Sequence, residues 1–183
     1  MNVDYLRISV TERCNLRCLY CNPLGGSGAQ RDAEILSFEE ISRIVRLFAS
    51  CGIRKVRLTG GEPLLRENLV DLVGRIARTK GVEDVALTTN GVLLEPIAGE
   101  LKAAGLSRVN VSLDAAERAC FERITGSDAL DRVLAGIARA IDVGLTPIRI
   151  NCVVVEDYNL SQVELLAEMT ARLPVSVRFI EYC

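Results

Sequence analysis

The sequence predicts an α/β fold: a partial (βα)6 barrel, TIM-like, built on six parallel strands. Three observations carry that expectation. Six strand-like runs alternate with helical runs along the 183 residues, the pattern of parallel strands joined by right-handed crossovers. Within most strands one parity is apolar (Leu6/Ile8/Val10, Val56/Leu58, Val109/Val111/Leu113) and the other polar (Arg7/Ser9, Arg57/Thr59, Asn110/Ser112/Asp114). Helices on both faces would make both parities apolar, so one face is expected to be a wet lumen. Finally, the residues capable of chemistry gather at the C-terminal ends of the strands, where βα barrels carry their sites.

Each element follows from local signals. Residues 5–10 form the first strand, followed by a cysteine loop and a connector with Gly25, Gly26 and Gly28. That connector lacks the Lys-Ser/Thr of a phosphate loop and reads only as a flexible link. Ser37-Phe-Glu-Glu40 is a capping box opening a helix with Ile41, Ile44, Val45 and Phe48 on one face, stopped by Gly52. Residues 55–59 form the second strand, which leaves through Gly60-Gly-Glu-Pro63 into a helix through Leu69, Leu72, Val73 and Ile76. Residues 85–89 make the third strand, ended by Asn90-Gly91, and the next helix passes Ile97 and Leu101 to Gly105, a natural C′ residue. The fourth strand spans 109–113. Ser127 caps a helix carrying Leu130, Val133, Leu134, Ile137 and Ile141. The fifth strand spans 147–155, Ser161-Gln-Val-Glu164 reads as a second capping box, and 175–182 is the sixth strand. No linker or change of composition interrupts the run, so residues 1–183 are expected to be one domain.

Composition narrows the function. With 49% hydrophobic and 25% charged residues and a net charge of −2, the chain suits an ordinary soluble domain. No basic face asks for nucleic acid. No apolar run approaches a membrane span, and the first residues open a strand, not a signal peptide. Seven cysteines, an odd number, point to a reducing, cytoplasmic setting and not to a disulfide framework. There is no histidine, which removes Ser-His-Asp and Cys-His nucleophiles and His-ligated zinc.

Three of the thiols lie in Cys14-Asn-Leu-Arg-Cys18-Leu-Tyr-Cys21. Thiolates are soft ligands suited to iron–sulfur clusters and zinc. Three are one short of a closed site, and a [4Fe–4S] cubane held by three cysteines keeps one iron open. Zinc with a borrowed fourth ligand, or unligated thiols, are the plainer readings. Cys51, Cys120 and Cys152 read as inert core thiols. Arg7, Arg57, Arg149 and Arg178 share the inward parity, so four guanidiniums converge on one cavity and ask for a polyanionic small-molecule substrate. Ion pairing of any of them with Glu62, Asp114 or Glu181 is the structural alternative.

The C-x3-C-x2-C loop, with Gly60-Gly-Glu-Pro63 after the second strand, resembles the radical S-adenosyl-L-methionine (SAM) enzymes. More narrowly, Leu6-Arg-Ile-Ser-Val-Thr-Glu-Arg-Cys-Asn, Thr59-Gly-Gly-Glu-Pro-Leu-Leu-Arg66, Thr88-Thr-Asn-Gly91, Asn110-Val-Ser-Leu-Asp114 and Val177-Arg-Phe-Ile-Glu181 are similar to the GTP 3′,8-cyclases, lyases of molybdenum cofactor biosynthesis. The resemblance implies that Cys14, Cys18 and Cys21 hold three irons and that SAM chelates the fourth. Gly61 would let SAM approach the backbone, Glu62 and its neighbours would meet the methionine ammonium, and Tyr20, Ser112 and Cys183 would touch the rest of SAM. Arg7, Arg57, Thr88 and Arg149 match GTP contacts, and Arg178 joins them by parity. An electron donor would reduce the cluster, SAM would give a 5′-deoxyadenosyl radical, and GTP would lose a hydrogen at C3′ before that carbon attacks C8.

Four features depart from the pattern. Arg149 replaces a lysine, Cys183 a methionine, and Cys21-Asn-Pro23 the usual Cys-Met-Pro. The region bearing a second three-cysteine cluster for the guanine is missing, so the chain reads as C-terminally truncated. With no helix after it, the sixth strand is expected to expose Val175, Val177 and Phe179 and to invite association. A relative acting on another substrate, or a non-catalytic iron–sulfur or zinc-binding fragment, are the competing functions.

Overall fold

A computed structural model of the chain describes residues 3–21 and 35–182. Six strands, β1 (Tyr5–Ser9), β2 (Lys55–Thr59), β3 (Asp84–Thr89), β4 (Arg108–Ser112), β5 (Ile148–Val154) and β6 (Val175–Glu181), form one sheet in the order β1-β2-β3-β4-β5-β6. Every pair is parallel. β1 and β6 are its two edges, so the barrel is partial and unclosed.

Among the described residues seven α-helices connect the strands: α1 (Phe38–Ser50), α2 (Leu69–Ala77), α3 (Leu94–Ala103), α4 (Arg118–Thr125), α5 (Leu130–Asp142), α6 (Glu156–Asn159) and α7 (Val163–Arg172). They pack on the apolar parity of the sheet. Leu58, Leu87, Val109, Val111, Ile148 and Ile150 are fully buried there against Leu72, Val73, Ile76, Leu101, Val133 and Ile137. Each such side chain contributes about 1.5–3 kcal/mol relative to exposure. The opposite parity is not wet throughout: Ala86 and Asn110 are each only 1% exposed and form a dry patch mid-lumen.

The capping box at Ser37 forms as expected: Glu40 N donates to Ser37 Oγ and Ser37 N to Glu40 Oε2. Four details differ from the sequence reading. The buried stripe of α1 is Ile41, Ser42, Val45 and Ala49, which turns Phe48 outward to 43% exposure. α4 was not anticipated, because Arg118, Glu122 and Arg123 break up its apolar stripe; only Cys120, Phe121 and Ile124 mark the inner face. α5 starts at Leu130 with Ala129 before it, so Ser127 does not cap it. The second capping box does not form either: α7 begins after Gln162, which is buried and whose Oε1 accepts from the backbone of Ala116 and Glu117 at 3.1 Å.

The sixth strand is covered more than expected. Val175 and Val177 are half-buried against the core, beside Met169 of α7, and only Phe179, at 40% exposure, is bare on that face. Helix α7, which precedes the strand, supplies the cover that a following helix would have given. Among the described residues no helix is long and apolar enough to cross a membrane.

Candidate functional site

The cysteine loop is sewn down along both its flanks. On one flank it extends the β1–β2 pairing: Val10 N donates to Thr59 O at 2.8 Å, Gly61 N to Thr11 O at 2.8 Å, and Glu62 N to Arg13 O at 2.7 Å. Glycine is required at both central positions. A Cβ on Gly60 would stand 2.4 Å from Thr11 O, and one on Gly61 would stand 2.4 Å from Arg13 O and 2.5 Å from Glu12 O. What approaches these glycines closely is the cysteine loop's own backbone. On the other flank, Arg17 N and Leu19 N donate to Thr125 O and Ile124 O, the last turn of α4. Leu16, 7% exposed, anchors the loop from beneath.

Glu62 is fully buried. Its Oε1 accepts from Leu64 N at 2.9 Å and Thr89 Oγ1 at 2.7 Å, and its Oε2 from Asn90 N at 2.6 Å. Burial pushes its carboxyl above the ordinary range, against the pull of those donors. The carboxylate therefore brackets the turns after β2 and β3 together. It does not face the open site, and the exposed member of the motif is Gly61. Asn90, placed by this bracket, donates to Asn15 Oδ1 at 2.8 Å and towards Cys14 Sγ at 3.9 Å.

Cys14 and Cys21 are exposed and Cys18 is half-buried. Leu16 N points at Cys14 Sγ at 3.4 Å. Burial pushes the Cys14 thiol up and the Cys18 thiol up to about 12; Asp114, Cys14 and Cys21 add to the effect at Cys18. Three thiolates within one another's field are costly unless a cationic centre neutralises them. Among the described residues no three Cys, Asp or Glu side chains converge as ligands of a single ion. The all-thiol, histidine-free loop, with Glu62 and Asp114 committed elsewhere, fits an iron–sulfur cluster that takes each thiolate on a different iron.

Tyr20, between Cys18 and Cys21, donates its hydroxyl to Asp114 Oδ2 at 2.7 Å, and its ring lies 6.2 Å from that of Tyr182, just past β6. Asp114 is 3% exposed, and its Oδ1 accepts from Val153 N at 2.8 Å. Asn159, fully buried, ties the same corner together by donating to Asp114 O and Val153 O. Sequence reading placed Asn90 and Asp114 at strand ends without finding these partners. The buried roles of Asn159 and Gln162 and the bond made by Asn15 were not anticipated, because a polar residue between elements carries no signal of what it will meet.

Below the loop, register aligns the arginines. Arg7 pairs with Arg57, Arg57 with Ala86, and Ala86 with Arg108, while Arg149 lies beside Asn110 and Arg178 beside Asn151. The Arg57 guanidinium lies 5.3 Å over the Tyr5 ring. With its amide oxygen facing Arg57, Asn110 accepts from both Nη atoms at 3.2 and 3.3 Å, the orientation required beside a group that only donates. Burial lowers the Arg57 pKa from its ordinary value, and the charges of Arg108, Arg149 and Arg7 lower it further. Burial and then Arg178 and Arg108 do the same to Arg149. Among the described residues, none of Arg7, Arg57, Arg149 and Arg178 stands in an ion pair. Thr88 and Ser112 are half-buried on the same lumen parity. Cys183 and the glycines of the connector lie outside the described residues. Of the three spare thiols, Cys120 and Cys152 are buried as expected, but Cys51 is exposed, since it follows α1 at the C-cap, off the buried stripe.

An open parallel barrel with three thiols on one loop over its strand ends defines a class, and residues 8–170 match the family model of the radical SAM superfamily. The chain belongs to that superfamily. Within it, the chain is 48% identical over 180 residues to a GTP 3′,8-cyclase of Heliobacterium modesticaldum, covering 98% of this chain and 55% of that protein. It is 46% identical over 182 residues to the GTP 3′,8-cyclase of Thermodesulfovibrio yellowstonii, covering 99% and 56%. The chain thus spans little more than half the length of these curated relatives. Among solved structures it is similar in fold to Streptococcus suis SuiB bound to S-adenosylmethionine (TM-score 0.82, 20% identity, 98% of this chain and 41% of that one). It is likewise similar to anSMEcpe with bound AdoMet (TM-score 0.75, 20% identity, 97% and 50%).

Proposed function

We propose that residues 1–183 are the core domain of a radical SAM enzyme of the GTP 3′,8-cyclase type, a cytoplasmic lyase in molybdenum cofactor biosynthesis. The observation that carries this reading is the cysteine loop, locked to Gly60–Glu62 on one flank and to Asp114 through Tyr20 on the other, above a lumen lined with arginines. Cys14, Cys18 and Cys21 hold a [4Fe–4S] cluster. When bound, the cluster and SAM supply one-electron cleavage of the sulfonium and so a carbon-centred radical; a reducing partner provides the electron.

The chain's own residues bind and orient. The exposed backbone at Gly61 receives the methionine end of SAM, and Glu62 acts behind it by fixing Asn90 and the loop. Tyr20 and Ser112 flank the adenosine, and Cys183 is a further contact of SAM in this reading. Arg7, Arg57, Thr88, Arg149 and Arg178 take GTP: the forked guanidiniums bind the triphosphate oxygens, and that neutralisation stabilises a lumen crowded with like charge. The dry patch at Ala86 and Asn110 keeps water from the buried part of the ligand.

The test is anaerobic reconstitution with iron and sulfide, reduction, and addition of SAM with and without GTP. Cleavage to 5′-deoxyadenosine that depends on GTP supports the cyclase. Cleavage indifferent to GTP selects a relative with another substrate. A chain that binds zinc alone and leaves SAM intact overturns the enzyme reading.

A further inference from the structure

The lumen contains a fifth arginine that inward parity also selects and that the family motifs leave without a role. Arg108 is the first residue of β4, and Asp84 is the first of β3. Register continues the row Arg7–Arg57 through Ala86 to Arg108, and alanine, having no side chain beyond Cβ, puts no polar group or charge of its own between the guanidiniums. Arg108 and Asp84 form an ion pair through Nη2 and Oδ2 with side chains only 13% and 21% exposed. It is the most buried ion pair among the described residues. Yet Arg108 Nη1 is buried with no hydrogen-bond partner. A guanidinium carries five donors, and a buried donor left unmade is costly. A single carboxylate oxygen cannot satisfy the group.

We propose that Arg108 is a further binding residue for the polyphosphate of the substrate, and that Asp84 is its resident counter-ion, competing with the substrate for the guanidinium. The proposal rests on the reading of the lumen as an anion site. Arg108 is close enough for its charge to reach both Arg57 and Arg149, and Asp84 partly offsets it at Arg149. Asp84 thus makes the cation cluster tolerable without ligand, at the cost of weakening the site for an anion. A phosphate chain presents several oxygens along its length, so it can engage Nη1 of Arg108 while continuing along the row to Arg57 and Arg7. A lone carboxylate would serve only one of these groups.

Calorimetric titration of the chain with inorganic tripolyphosphate tests this, using R108M, D84N and, as a control for net charge, R118A, whose exposed pairs tie α4 to Asp128 in the following turn and to Asp131 on α5. R108M should bind on the order of tenfold or more weakly, since hydrogen bonds to charged groups carry that much. D84N should bind several-fold tighter while being less stable without ligand, and R118A should match the unsubstituted chain. A pair that serves only the fold predicts weaker or unchanged binding in D84N, and that result overturns the proposal even if R108M does not fold. Unchanged binding in R108M overturns this proposal alone, whereas no binding by the unsubstituted chain overturns the reading of the lumen as well.

Discussion

The Tyr20 hydroxyl donates to Asp114 Oδ2 at 2.7 Å, joining the middle of the cysteine loop to the end of β4 across 94 positions of sequence. Asp114 is nearly inaccessible and its other oxygen already holds Val153 N, so the phenol is half of what satisfies the carboxylate. Tyr20→Phe leaves a buried acceptor unpaired and should destabilise the chain by about 1–3 kcal/mol in urea unfolding. Asp114→Ala, which also strands Val153 N, should cost more. Equal stability of Tyr20→Phe and the unsubstituted chain would show that the bond does not hold the loop.

Gly61→Ala should be among the most damaging single-atom changes in the chain. The new methyl falls within 2.5 Å of two backbone carbonyl oxygens, Arg13 O and Glu12 O, neither of which can swing aside as a side chain would. The loop must lift, breaking the bonds from Gly61 N and Glu62 N and shifting Cys14 beside them. The expected result is iron and sulfide content well below stoichiometry after reconstitution. Gly99→Ala is the contrast: inside α3, with nothing nearer than 3.8 Å, it should be neutral or stabilise by up to about 1 kcal/mol. Normal cluster content in Gly61→Ala would mean the loop tolerates displacement.

These two sites also show how far sequence alone could see. Alternation along β2 and β4 was enough to place Leu58 and Val111 in the core and Arg57 and Asn110 in the lumen, because burial on one face repeats every second residue. The cysteine spacing and the glycine pair were legible as a site for the same reason: their meaning is local. Tyr20–Asp114, Glu62–Asn90 and Asn159–Asp114 were not legible. Each bond joins turns from different βα units, and the partner is fixed only once the sheet has brought the strand ends together. The bracket at Glu62 was hidden for a related reason: the three donors its carboxylate holds include two from the end of β3 and the turn after it, which nothing in the motif announces. Arg108 escaped notice at a strand's first residue, where parity is weakest as a guide.

Cysteine substitution separates the cluster loop from the remaining thiols. Cys14→Ser, Cys18→Ser and Cys21→Ser should each lose the visible absorption and the reduced-state EPR signal of a [4Fe–4S] centre, since three protein thiolates leave none to spare. Cys51→Ser, at an exposed C-cap, should keep both. Full iron content in Cys21→Ser would argue that another thiol takes its place and that the loop is not the cluster's cradle.

The far edge of β6 is the remaining exposed element, and its behaviour follows from its two faces. Val175 and Val177 are packed, but Phe179 and Ile180, pointing to opposite sides, are 40% and 46% exposed, and no described strand pairs beyond them. An unpaired edge with apolar residues on both faces is a template for another strand. Arg178 precedes them and Glu181 follows, and two charges of opposite sign on a seven-residue strand are a weak guard, since each attracts its counterpart on a second copy. Sedimentation velocity should therefore show association that grows with concentration. Ile180→Lys should suppress it, because adding a cation beside Arg178 places like charges against each other when two β6 edges meet. A chain that stays monomeric at high concentration, with or without the substitution, would mean that this edge is protected by its own twist and needs no partner.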